Sequence, residues 1–183
     1  MPHPTSLDRL DPFDPETGDL TVIVETPKGS RSKYAHDPRT NGFELRHVLP
    51  AGTHFPFDFG FVPSTRAGDG DPLDVLVLLD APGFPGLVLR ARLVGVIEAE
   101  QGEEGETVRN DRIVAVASRS RDFAGIARLE DLPGGLVAEI EGFFEHDNRL
   151  RGKRFRLAGR GGPEAARRLV EEAADAARRG GAA

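Results

Sequence analysis

The chain has 183 residues, 38% of them hydrophobic and 30% charged, which suits a single domain large enough to bury a core. Its formal net charge of −6 argues against a nucleic-acid-binding surface, and zero cysteines exclude disulfides, zinc-thiolate sites and thiol nucleophiles. No apolar run reaches the length of a membrane span and the first residues lack the basic and apolar blocks of a signal peptide, so a cytoplasmic protein without a membrane partner is expected.

The 22 glycines and 14 prolines require many turns and favour a strand-rich fold. Residues 1–18, with four prolines and no periodicity, read as an extended N-terminal arm, and residues 19–183 as one domain. Residues 20–26 (LTVIVET) form the first clear strand. Residues 34–48 carry the turn Asp37-Pro38-Arg39-Thr40-Asn41-Gly42 between two short β-type segments, which predicts a hairpin. Residues 55–62 (FPFDFGFV) alternate aromatic with other side chains, as a half-buried strand or extended loop does. Strands follow at 75–79, 87–97 and 113–117, with the acidic stretch 98–110 as a long hairpin connection. Leu132, Leu136, Ile140, Phe143 and Phe144 then repeat at helical spacing, with a start near 129–133. Arg149, Arg151, Lys153, Arg154, Arg156 and Arg160 read mostly as a solvated strand face. Residues 163–179 form a second helix bracketed by glycine pairs. This order implies an α+β domain, a closed or nearly closed barrel of short strands with helices packed outside.

The segment GDGDPLDVLVLLD places Asp69, Asp71 and Asp74 in a turn directly before an apolar strand. Three carboxylates so close repel one another unless cations sit among them, which points to a hard divalent metal, Mg²⁺ first. The competing reading is an Asp-rich surface turn whose charges are simply solvated. A helix–loop–helix calcium site fits poorly, because Leu73 falls at a liganding position and Asp74 stands where that loop needs glycine.

Glu25, Lys33-Tyr34, Arg46, Pro56-Phe57-Asp58-Phe59-Gly60-Phe61 and Asp69 through Asp74 occur in the same order as the signature pieces of one family. Over residues 20–157 the chain resembles the soluble, Mg²⁺-dependent family I inorganic pyrophosphatases. The resemblance implies an OB-like five-stranded closed β-barrel with two or more helices outside, usually a homo-oligomer, that hydrolyses pyrophosphate with a metal-activated water. It implies that Asp69, Asp74, Glu25, Asp71 and Asp111 serve the metals, Mg²⁺ or alternatively Mn²⁺, and that Asp71 takes the proton of the attacking water. Lys33, Arg46 and Arg112 would hold substrate oxygens, Arg112 standing where the family commonly has lysine.

The chain departs from that pattern at several positions. Ala35 replaces a frequent acid, and Phe55 and Phe59 replace tyrosines. Asn110 stands where an aspartate is expected, with Asp111 displaced by one residue, a shift that turns a strand side chain to the other face. Gln101 falls closest to a further metal-binding aspartate, and Asp147-Asn148 replaces a Tyr-Lys phosphate pair, with Lys153 or Arg151 as substitute cations. These departures keep two other readings open: a non-catalytic metal–phosphate binding or regulatory module on the same fold, and a hydrolase of another phosphoanhydride.

Overall fold

The computed structural model describes residues 6–103 and 105–180. Nine strands and two α-helices are formed: β1 Leu20–Thr26, β2 Ser32–Asp37, β3 Gly42–Val48, β4 Asp58–Phe61, β5 Asp74–Leu78, β6 Val88–Glu103, β7 Glu106–Arg109, β8 Arg112–Ala117, α1 Leu136–Leu150, β9 Arg154–Gly161 and α2 Pro163–Gly180. Hydrogen bonding runs β1-β4-β5-β8-β6 and returns from β6 to β1, so five strands close a ring without a free edge. All neighbours are antiparallel except β5 and β8, which pair in parallel with Asp74 beside Arg112. The C-terminal half of β6 leaves the ring and carries β7 and β9. The α+β class with a five-stranded closed barrel and outer helices is therefore the observed architecture.

Apolar residues on both faces explain why the strands read as continuous hydrophobic runs. Val75, Val77, Ile113 and Ala115 pack with Ala166, Val170 and Ala173 of α2, while Leu76, Leu78, Val114 and Val116 pack with Ile140 and Phe144 of α1. The alternation follows the two-residue period of each strand. Helix α1 is further fixed to β9 by a bidentate pair, in which Arg160 Nε and Nη2 donate to Glu141 Oε1 and Oε2 at 2.6 and 2.7 Å. At Gly60 the backbone of β1 approaches so closely that any Cβ would strike the Ile23 carbonyl.

Several boundaries differ from the sequence-based expectations. The stretch 98–110 is mostly strand: β6 runs on to Glu103 and β7 begins at Glu106, with Gly105 at φ 96° in the turn. Residues 129–131 form a 3₁₀ turn, and α1 starts only at Leu136, because Pro133-Gly134-Gly135 intervenes with Gly135 at φ 86°. The described part of the arm is attached to the barrel. Ser64 N–H donates to the Asp8 carbonyl at 2.9 Å, Phe13 bridges to Leu20, and Arg90 pairs with Asp14. Among the described residues no helix is long and apolar enough to cross a membrane.

Candidate active site

A cleft of about 610 Å³ opens at the end of the ring where β1, β5 and β8 meet the β2–β3 hairpin and α1. The hairpin is fastened to β1 by Thr26, whose hydroxyl donates to the Tyr34 carbonyl and accepts from the Tyr34 N–H at 3.0 Å. That attachment brings Lys33 within 3.5 Å of Glu25 Oε2, while Glu25 Oε1 accepts the His36 N–H at 2.7 Å. Lys33 Nζ also lies 3.7 Å above the ring of Phe59 and 5.7 Å from that of Phe55. The two phenylalanines thus supply an aromatic seat for the ammonium rather than hydroxyls for a ligand. Burial pushes the Glu25 carboxyl up from its ordinary range, opposed by Lys33 and the His36 N–H. Burial pushes the Lys33 ammonium down, opposed by Glu25 and Asp74.

The acidic turn faces this pair. Gly70 adopts φ 93°, which glycine tolerates, and Ala67 N–H closes the turn on the Asp71 carbonyl at 2.7 Å. Asp71 and Asp74 line the cleft; Asp69 does not, but its Oδ1 accepts the Asp71 N–H at 3.2 Å. Desolvation holds the Asp69 carboxyl above the usual aspartate range, with the charges of Asp71 and Asp74 adding to it. Asp74 Oδ2 meets Arg112 Nη1 at 2.7 Å, a consequence of their adjacent register in the parallel pair.

The structure therefore brings Glu25, Lys33, Arg46, Asp71, Asp74 and Arg112 to one cleft, with Asp69 beside it. It does not bring Asp111. That carboxylate is buried in the link between β7 and β8, where Oδ1 accepts the Ala99 N–H at 3.1 Å and Oδ2 pairs with Arg109 Nε at 2.6 Å. Asn110 does not line the cleft either; its side-chain oxygen accepts from Arg112. Of the two substitute cations, Arg151 lines the cleft and Lys153 does not. Arg151 Nη2 donates to Asp147 Oδ2 at 2.7 Å, and Asp147 Oδ1 stands 3.8 Å from His47 Nε2. Burial pushes the His47 imidazolium down, Asp147 opposing.

Three further residues line the cleft. His47 is a neighbour of Arg46 on β3, and Asp147 lies one helical turn before Arg151. Asp8 arrives from the arm, with an Oδ1 that is buried and has no hydrogen-bond partner among the described residues.

Carboxylate oxygens are the donor type that Mg²⁺ prefers, and that ion is held by one or two carboxylates plus water and substrate oxygens rather than by an all-protein cage. Among the described residues no group of three or more His, Asp or Glu side chains is arranged to hold a metal ion by itself. The charges of Asp71 and Asp74 act on the Asp69 carboxyl, and these are the charges such an ion would compensate.

Comparison with known proteins gives one consistent result. Residues 22–178 match the family model described as inorganic pyrophosphatase. The inorganic pyrophosphatase of Synechocystis sp. is 37% identical over 161 residues, covering 88% of this chain and 93% of that protein. The crystal structure of inorganic pyrophosphatase from Thermus thermophilus superposes with a TM-score of 0.85 at 32% identity, covering 94% of this chain and 99% of that one. The enzyme from Helicobacter pylori gives 0.81 at 31% identity over 87% and 94% of the two chains. A closed ring that sets an Asp-Gly-Asp-Pro-Leu-Asp turn against Glu25 and Lys33, matched along nearly its whole length, makes this chain a member of the inorganic pyrophosphatase family.

Proposed function

We propose that the chain hydrolyses inorganic pyrophosphate to two phosphates, with Mg²⁺ as its metal and water as the direct nucleophile. The observation that carries this reading is a single cleft lined both by acids of the aspartate turn, Asp71 and Asp74, and by the cations Lys33, Arg46 and Arg151. Pyrophosphate bears heavy negative charge on its phosphoryl oxygens that such cations offset, and its two phosphate products are anionic as well. Asp69, Asp71 and Asp74 would hold the divalent ions, whose Lewis acidity makes water nucleophilic near neutral pH.

The protein's own groups have distinct tasks in this scheme. Asp71, on the cleft-lining tip of the turn, takes the proton of the attacking water. Lys33 and Arg46 bind phosphoryl oxygens, and Arg151 holds the far phosphate in place of the missing Tyr-Lys pair. Phe55, Phe59 and Phe144 exclude water from the floor, which strengthens every charge interaction above them. Glu25 fixes Lys33 and, through the His36 N–H, the hairpin that carries it.

Phosphate release from pyrophosphate in the presence of Mg²⁺ tests the reading. Asp71→Asn is expected to lower kcat by about a hundredfold or more with the circular dichroism spectrum unchanged. Retained turnover in that variant would remove Asp71 as the proton acceptor, and absence of Mg²⁺-dependent release by the wild type would remove the activity.

A further inference from the structure

Arg112 is held more tightly than a side chain that only awaits an anion. Its guanidinium is buried, Nη1 lies 2.7 Å from Asp74 Oδ2, and Nη1 also donates to Asn110 Oδ1. The main-chain oxygens of Asn110 and Asp111 accept from the same nitrogen at 3.2 Å each, and Gln101 Oε1 accepts from Nη2 at 3.4 Å. Phe144 supports the group from one face, 5.2 Å from its central carbon. Acceptors from Asp74, Gln101, Asn110 and Asp111 thus surround one permanent cation, and only that of Asp74 carries a full charge.

The identity of these acceptors is informative. Positions 110 and 101, where the family resemblance implies acids, both carry carboxamides here. A carboxamide oxygen is a good acceptor for a guanidinium but an uncharged, weaker ligand for a hard divalent ion. Arginine adds a planar fork that stays charged at every accessible pH, which a lysine ammonium does not match. Two amides and an arginine therefore form one hydrogen-bonded unit, in which Arg112 Nε is buried without a partner among the described residues.

We propose that the Arg112 guanidinium is a built-in cation that takes the place of one metal ion on the Asp74 side of the cleft. Divalent ions are then left with Asp74 Oδ1, Asp71 and Asp69. This part of the charge compensation cannot dissociate, so it does not depend on metal concentration. The inference rests on the pyrophosphatase reading for the nature of the site, but the ion count itself can be read without substrate.

Titration of the folded chain with Mn²⁺ in the absence of pyrophosphate, followed by electron paramagnetic resonance, tests the proposal. Q101D/N110D keeps Arg112, and its new carboxylates pair with that cation, so it binds as many ions per chain as the wild type. Q101D/N110D/R112Q binds one more. An added ion in the double variant, or no added ion in a natively folded triple variant, overturns the proposal. R112Q alone releases Asp74 Oδ2 and is expected to tighten Mn²⁺ binding about tenfold; unchanged affinity also overturns it. The double variant retains the central cation and decides the matter even if neither Arg112 variant folds. A chain that shows this ion pattern without hydrolysing pyrophosphate would sink the activity and leave the built-in cation standing.

Discussion

At the scale of single residues, the cleft retains cations where it has lost hydroxyls. Arg151 stands one helical turn beyond Asp147, is 37% exposed at its side chain, and is oriented by that carboxylate at 2.7 Å. A charge-assisted hydrogen bond of this kind contributes about 1.5–3 kcal/mol. Arg151→Ala is therefore expected to raise KM for pyrophosphate about tenfold or more with a smaller change in kcat, and Arg151→Lys to recover part of the loss. Steady-state kinetics separate this from a purely helix-capping role, which would leave KM unmoved. The residues nearest the turn were legible in the sequence because the Asp-Gly-Asp-Pro-Leu-Asp spacing fixes them locally. Asp111 was not, since it lies in the two-residue link between β7 and β8, where its carboxylate is taken up by the Ala99 N–H and Arg109. Asp8 and His47 reach the cleft through contacts between distant segments, and no local pattern reports that.

At the scale of elements, the β2–β3 hairpin is the part that delivers Lys33, Arg46 and His47, and its turn is stabilised by one acid. Asp37 accepts from the Arg39 N–H at 3.0 Å, from Arg39 Nε at 3.2 Å and from Thr40 Oγ1 at 3.2 Å. The Arg39 side chain, then its backbone N–H, hold the Asp37 carboxyl below its ordinary value of 3.8. A lowered folded-state value means that this stability is present above pH 3.8 and is lost as pH falls through the folded-state value, below it. Asp37→Asn is expected to melt earlier than the wild type at pH 7, with the gap closing in more acidic solution. A gap that persists unchanged at pH 2 would show that charge is not its origin. This hairpin was readable because Asn41-Gly42 supplies the turn chemistry, and Asn41 does adopt φ 51°. The onset of α1 was misplaced because Leu132 shares the apolar spacing of the helix while Pro133 and two glycines prevent its inclusion. The strand content of 98–110 was hidden because β6, β7 and β9 pair beyond the ring, where exposed edges carry charged rather than apolar residues.

At the scale of the whole molecule, closure of β6 onto β1 joins two apolar clusters, one shared with α1 and one with α2, into a single cooperative body. The aspartate turn projects from this body and contributes none of its buried side chains except Leu73. Chelation by EDTA is therefore expected to stop turnover while the circular dichroism spectrum at 25 °C remains native. Restoring Mg²⁺ should raise the melting temperature, because an ion that binds only the folded state stabilises it by mass action. Loss of secondary structure on chelation would instead assign the metal a part in folding.

The attachment of the arm has a practical corollary. The Asp8 carbonyl is clamped by Ser64 three residues beyond the end of β4, and Asp8 offers the cleft an acid whose Oδ1 has no partner among the described residues. Trimming the polypeptide past this point, or splicing a foreign tag directly onto it, would edit the catalytic pocket itself. Recombinant versions should accordingly carry any affinity handle at the opposite terminus.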